Sequence, residues 1–513
     1  MNTKRTAALA GVALTAMAAA TSAAAGAADN SLVWATDREV NVPFVWWDTT
    51  TEMAAMMHHV FDTLVYRNPE TMAYEPLLAR SWRWVDDTTL EFELREDVRF
   101  HDGSSFDADD VVASYTRLID PATGVLNATL VNWMSGVEKF GQHAVRIRMK
   151  APFPPAFEFL SGTRMGILPA EAWEGLPPSP KGGPDFTKMR PVGTGPYVMA
   201  DFRPGEGMTL TRNPDYFDGA KGQPAIGTIV FRTIADQETR IAELMVGNID
   251  WITDLPVDMA EQLGAMPGVA VTNGPDMRIA YLAIDRVGKT GEGPLNDVRV
   301  RRAIGHAIDR EAIARSLVGP GSMVIDSACY PTQVGCTSDV TVYGYDPDRA
   351  RALLAEAGYA GGFAVEFGAY RERPYAEAVI GYLREVGIDA QLNYLQFAGM
   401  RDRIANGNMG FAMRSWASSG LNDISAIASV LMAMEPDDLC SFPEAKALLG
   451  EGDRTIDAAQ REAIYARALE MIAQEACFLP MFSYSKLYGH AEKLSFLPTA
   501  DGFPLFYLAR WED

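Results

Sequence analysis

Cysteine is scarce in this chain and comes late: four residues in 513, none before Cys329. That excludes a lipid anchor built on an N-terminal cysteine and does not demand a disulfide scaffold. Basic residues are also in short supply, 45 Lys and Arg against 67 Asp and Glu. An anionic chain argues against nucleic acid or anionic lipid as partner, because both require a basic surface. Beyond the N-terminal leader no run is long and apolar enough to span a bilayer. Nor is there an HExxH, a G-x-S-x-G or a CxxC pair, so no zinc-hydrolase, nucleophile-elbow or thiol-redox signature is on display.

What is present begins with the leader. Lys4 and Arg5 precede an alanine-rich apolar run that closes on small residues, Ala25-Gly26-Ala27. Basic, apolar, then small is the order of a secretory signal peptide, with cleavage expected near Ala27 and residues 1–27 removed. About 485 residues follow, enough for two or three domains. Export to an oxidising compartment suits the cysteines. Cys329 and Cys336 flank Pro331 and Gly335, which favour a turn, so a local disulfide is expected there. A metal pair is the rival reading and lacks neighbouring ligands at zinc-site spacing. Cys440 and Cys477 are left open between a second bridge and buried thiols.

Strand and helix periods alternate along the chain, giving a mixed α and β class. Leu90, Phe92 and Leu94 alternate with Glu91, Glu93 and Arg95 as in a half-buried strand; Val145, Ile147 and Met149 repeat the pattern. Val300, Ala303, Ile304, Ala307 and Ile308 form one helical stripe. Asp346, Pro347 and Gly358 mark the start and end of another helix. In Leu94 to Tyr115, LREDVRFHDGSSFDADDVVASY, His101-Asp102-Gly103 reads as a turn and Asp107 as the cap of a helix from about Ala108. Asp109 and Asp110 then meet the exposed backbone N–H groups of its first turn. The acidic cluster is architecture.

Several chemical look-alikes fail on detail. Ala283 to Thr290, AIDRVGKT, has alanine where a phosphate loop needs its first glycine. Gly193-Thr194-Gly195-Pro196 lacks the later dinucleotide pattern and reads as a turn before a strand. His58 and His59 are adjacent on a helix and point about 100° apart, unsuited to one metal. Trp46 and Trp47 are two aromatics in a loop after the first strand, so they line a ligand cleft or pack in the core.

Taken together, YEPLLARSWRWVDDTTLEFELREDVRFHDGSSFDADDVVASYTRL, GTGPYVM, LTRNPDYFDG, PLNDVRVRRAIGHAIDREAI, YDPDRARALLAEAGY and LPMFSYSKLYG resemble, in order, the extracellular solute-binding proteins of family 5. These are the dipeptide, oligopeptide and nickel-chelate class that serves ABC importers. The resemblance implies an α/β, two-lobed periplasmic-binding-protein fold of type II, with a hinge between the lobes. Lobe I would comprise 28–60, 185–275 and 485–513, with a subdomain inserted at 61–184; lobe II would run over 276–484. Arg373 and Tyr375 resemble the segment of dipeptide binders whose arginine grips a ligand carboxylate, with Arg371 beside them. Trp416 matches the tryptophan that begins the family's ligand loop. Ser419 stands where peptide binders carry an aspartate for the α-amino group, and Asp423 is the substitute for that charge. Arg164 is similar to an arginine that meets chelate carboxylates in nickel-binding members.

The expected function is capture of a short peptide or other carboxylate-bearing solute in the periplasm and delivery to an inner-membrane ABC permease. No catalysis, cofactor or metal is expected, and a monomer is. An opine-like compound or metal chelate is the alternative ligand; a periplasmic chaperone or sensor, or a secreted hydrolase, are the alternatives in other classes.

Overall fold

The computed structural model describes residues 26–48, 50–126, 131–178, 184–185, 188–418 and 420–512. Nearly all of the leader, and Ser419, lie outside the described residues.

A ten-stranded mixed sheet organises the chain. In spatial order its strands are Ile388–Tyr394, Phe363–Ala369, Phe411–Trp416, Val269–Ile284, Phe478–Ala491, Trp251–Thr253, Ser31–Thr36, Thr228–Thr233, Gly207–Arg212 and Tyr197–Arg203. Ser31–Thr36 is buried along its whole length and pairs in parallel with Thr228–Thr233, as a central apolar strand should. The two longest strands, Val269–Ile284 and Phe478–Ala491, run antiparallel through the middle and carry the sheet from one lobe to the other. Their pairing breaks between Pro275 and Ile279. Proline has no N–H to give to a ladder, so the break falls where the residues require it.

A second sheet of four antiparallel strands, Ala79–Asp86, Thr89–Leu94, Ala144–Met149 and Met134–Gly141, sits in the inserted region. Leu90, Phe92, Leu94, Val145 and Ile147 are its buried face, as their alternation implies. Asp107 caps Ala108–Ile119 through a reciprocal box with Asp110, and His101 hydrogen-bonds to Gly195 O through Nε2 at 2.9 Å. The HDG turn therefore clasps the GTGP turn. Gly193 and Gly195 press against the backbone of His59 and Val60, where any Cβ would collide. Below them Lys221 Nζ, Asp62, Thr194 and Tyr216 form a buried polar knot, with Lys221 and Asp62 at 2.7 Å. The motifs GTGP and NPDYFDG are thus joints of the fold.

His59 is fully buried among Tyr197, Phe506 and Tyr507, with Nδ1 on Ala55 O at 2.8 Å. Burial pushes its pKa down to about 3. A folded pKa below the unfolded value of about 6.5 means that the unfolded chain takes the proton first, so this site's stability is present above pH 6.5 and is lost as pH falls. The loss is about 1.4 kcal/mol per pH unit below that point. Asp110 and Asp250, raised to about 6 by burial, act in the opposite sense. Denaturant unfolding of wild type and His59→Phe at pH 7.5 and 5 isolates the histidine: the wild type should lose about 2 kcal/mol relative to the variant on acidification.

Candidate ligand-binding site

The parallel strands Phe363–Ala369 and Ile388–Tyr394, with Phe411–Trp416 alongside, end on one edge of the sheet. The carboxyl ends of parallel strands are where an open α/β sheet places its ligands. The stretches leaving that edge, 370–372, 417–418 and 420–423, meet the broken register of the two long strands and the loop 499–503.

Three observations define the meeting point. Met277 N donates to Ala500 O at 2.8 Å, and Tyr370 OH and Ser415 Oγ are 2.8 Å apart. Arg278, in the irregular stretch, is half-buried; its Nη1 reaches Ser415 Oγ at 3.5 Å and no carboxylate lies within 4 Å among the described residues. Lys486, on the partner strand opposite Gly274, is half-buried and likewise has no ion pair among the described residues. A guanidinium drawn partly from water, with Glu372 near it but no carboxylate in ion-pair contact among the described residues, is poised for an anion from outside the chain.

Glu372 stands beside these cations at φ 37°, a backbone region that non-glycine residues rarely enter and that clusters at functional sites. Its Oε2 accepts from Tyr484 OH at 3.0 Å. Burial raises its pKa, opposed by Arg371 and Arg278. Tyr375 packs against Phe482 and Tyr484 and is pushed up to about 12 by burial, with Glu372 adding. Arg371 is 3.6 Å from Glu372 and exposed.

The described residues expected from sequence fall in four places. Arg371, Tyr375 and Trp416 are at this meeting point; Trp416 is half-buried, its Nε1 donating to Ala426 O at 3.0 Å. Arg373 begins the helix Arg373–Glu385 on its outer side, exposed and paired with Glu377 at 2.8 Å. Asp423 is a correction: it is buried, both its oxygens accept from Arg461 at 2.8 Å, and Oδ1 also caps Ser425, which leaves no charge for a ligand ammonium.

Trp46, Trp47 and Arg164 form a joint of their own, and of the two readings left open for the tryptophans the geometry is that of packing. Trp46 is fully buried and stacked on Trp173 with ring centroids 5.2 Å apart; its Nε1 donates to Arg164 O. Trp47 Nε1 donates to Thr123 O. The Arg164 guanidinium donates to Val45 O at 2.7 Å, and burial lowers its pKa while Asp48 acts the other way. These contacts tie the 42–48 loop to the inserted region. Core packing explains both tryptophans.

Two look-alikes also resolve. The N–H groups of Val287, Gly288, Lys289 and Thr290 all point at the carboxylate of Asp285, at 2.8–3.2 Å, so the loop wraps its own anion. Among the described residues no group of His, Cys, Asp or Glu could hold a metal ion. Cys329 and Cys336 are bonded, and so are Cys440 and Cys477. No helix among the described residues is long and apolar enough to cross a membrane.

Sequence reasoning passed over Arg278 and Lys486, since each sits within an ordinary strand pattern. The available signal was a proline three residues before Arg278 in a strand otherwise too long for one lobe.

Residues 73–431 match the model for bacterial extracellular solute-binding proteins, family 5 Middle. Heme-binding protein A of Haemophilus influenzae is 25% identical over 461 residues, covering 84% of this chain and 83% of that one. The Glutathione-binding protein GsiB of Shigella dysenteriae is 25% identical over 441 residues, 83% of each chain. The structure of HbpA2 from Haemophilus parasuis superposes with a TM-score of 0.82 at 24% identity, over 94% of this chain and 100% of that one. The architecture is that of a two-lobed periplasmic binding protein with an extra inserted subdomain, and the family is one of extracellular solute-binding proteins. The chain belongs to the bacterial extracellular solute-binding proteins of family 5.

Proposed function

We propose that this protein captures a small carboxylate-bearing solute, a short peptide before other classes, between its lobes and hands it to an ABC permease in the inner membrane. The carrying observation is Arg278, a half-buried arginine without a carboxylate partner at the point where both lobes and the hinge strands meet. Lys486 and Arg371 reinforce the positive character of the same place. Closure around a ligand expels water, and each charged contact then strengthens. The relatives' names point the same way in chemistry: glutathione is a tripeptide with two carboxylates, and haem carries two propionates. Arg278 and Arg371 grip the carboxylate in this reading, and Trp416 and Tyr375 form the walls.

Lobe I is taken as 28–60, 185–275 and 485–513, the inserted subdomain as 61–184 and lobe II as 276–484; the register break after Pro275 supports the hinge limit. The working place is the periplasm after removal of the leader near Ala27, and two bonded cysteine pairs suit its oxidising conditions. The protein acts as a monomer without a cofactor. A thermal-shift panel of di- and tripeptides, glutathione, haem, opines and nickel chelates tests the ligand class, because a ligand that binds only the folded state raises its melting temperature. A carboxylate-bearing compound should shift it; no shift with any of them would reject the reading.

A further inference from the structure

A buried charge cluster spans the two lobes beside the cations just described. Glu158, on the short helix Ala156–Leu160, is 2% exposed. Its Oε1 accepts the backbone N–H of Asn422 at 2.8 Å and its Oε2 accepts Tyr74 OH at 2.9 Å. Arg67, at the end of Val65–Arg67, pairs with Glu158, donates to Gly420 O at 2.8 Å and reaches Asp501. The two halves of this cluster belong to different cores. Val65 and Leu160 pack in the core that holds Trp34 and the four-stranded sheet, whereas Ile424, just after Asn422, packs with Tyr281 and Phe478 at the other end of the long strands.

The stretch 420–424 is held from its own side as well. Val334 N donates to Asn422 O and Thr332 Oγ1 to Asn422 Oδ1, each at 3.0 Å, from the turn that the Cys329–Cys336 bridge closes. One residue thus takes a hydrogen bond from a disulfide-braced turn in its own lobe and gives one to a carboxylate from the other. A buried carboxylate is tolerated only while its partners stay in place, so separating the lobes would take from Glu158 its backbone donor and from Arg67 its carbonyl acceptor.

We infer that Glu158, oriented by Arg67, is a positioning residue: it fixes the stretch 420–424 of the ligand loop in its binding conformation and holds the lobes together before any solute arrives. The inference rests on the reading that solute is taken up between the lobes, yet it is tested without solute. Amide hydrogen exchange of the mature, ligand-free protein reads it directly. Glu158→Ala should speed exchange in 420–424 by roughly tenfold or more, the scale of a lost charged hydrogen bond. Glu158→Gln keeps an acceptor for Asn422 N–H and should restore part of the protection; Arg67→Lys, which cannot fork to two carboxylates and a carbonyl, should lose most of it. Peptides from Val269–Ile284 should not change, which separates positioning from general destabilisation. Unchanged exchange in 420–424, or acceleration spread evenly over the chain, would overturn the inference. Should Glu158→Ala fail to fold, Glu158→Gln and Arg67→Lys carry the same test. Because no ligand is used, failure here and failure of the thermal-shift panel are separate results.

Discussion

Asp423→Ala should lower the unfolding free energy by about 3–5 kcal/mol, the scale for leaving one member of a buried ion pair alone. Arg461 is 4% exposed, and both of its terminal nitrogens point at Asp423. Its remaining partners, Gly452 O and Tyr465 OH, carry no full charge. The substitution also removes the acceptor for Ser425 N–H. Replacing the pair together, Asp423→Leu with Arg461→Met, should recover much of the loss, since apolar residues of similar volume often substitute well for buried pairs. Denaturant unfolding of the two variants beside wild type checks this. A ligand-contacting Asp423 would behave differently: stability would hold and only affinity would fall.

Arg278→Ala should weaken solute binding by about 2–5 kcal/mol, roughly thirtyfold to a few thousandfold, as when one partner of a desolvated charge pair is truncated. The unfolding midpoint should barely move, because Arg278 makes only a long contact to Ser415 within the chain. Lys486→Ala should cost less, a mobile ammonium being a point charge where the guanidinium is a preformed fork. Arg373→Ala serves as the contrast. Its side chain is 60% exposed and already paired with Glu377 one helical turn on, so affinity should change less than about threefold. Calorimetric titration of the three variants against the strongest hit of the thermal-shift panel measures all of these. Equal losses at Arg278 and Arg373 would move the anion site to the helix start.

Local architecture was legible because its causes are local. Alternation placed Leu90, Phe92 and Leu94 on a buried strand face, and Asp107 and Asp346 cap the helices they precede. The site was less legible because its members are assembled across the chain. Asp423 finds Arg461 thirty-eight residues away, and Arg67 meets Asp501 across a sequence separation of 434 residues. Nothing near either residue in sequence signals the partner. Trp46 and Trp47 drew attention as paired aromatics in a loop, and only the distant Trp173 shows that the first is packing. Arg278 hid in MRIAYLAID, where it looks like the exposed position of a strand, until the register break turned it toward Ser415. Glu158 is one polar residue in a short apolar helix, and its partner is a backbone N–H, which no side-chain pattern records.

The most direct test of a carboxylate-gripping cleft is native mass spectrometry of the mature protein with each hit of the thermal-shift panel and with the same compound amidated at its carboxyl groups. A one-to-one complex with the free acid, at least tenfold weakened by amidation and by Arg278→Ala alike, is the result the geometry predicts. Equal binding of acid and amide, with Arg278→Ala indifferent to both, would contradict it.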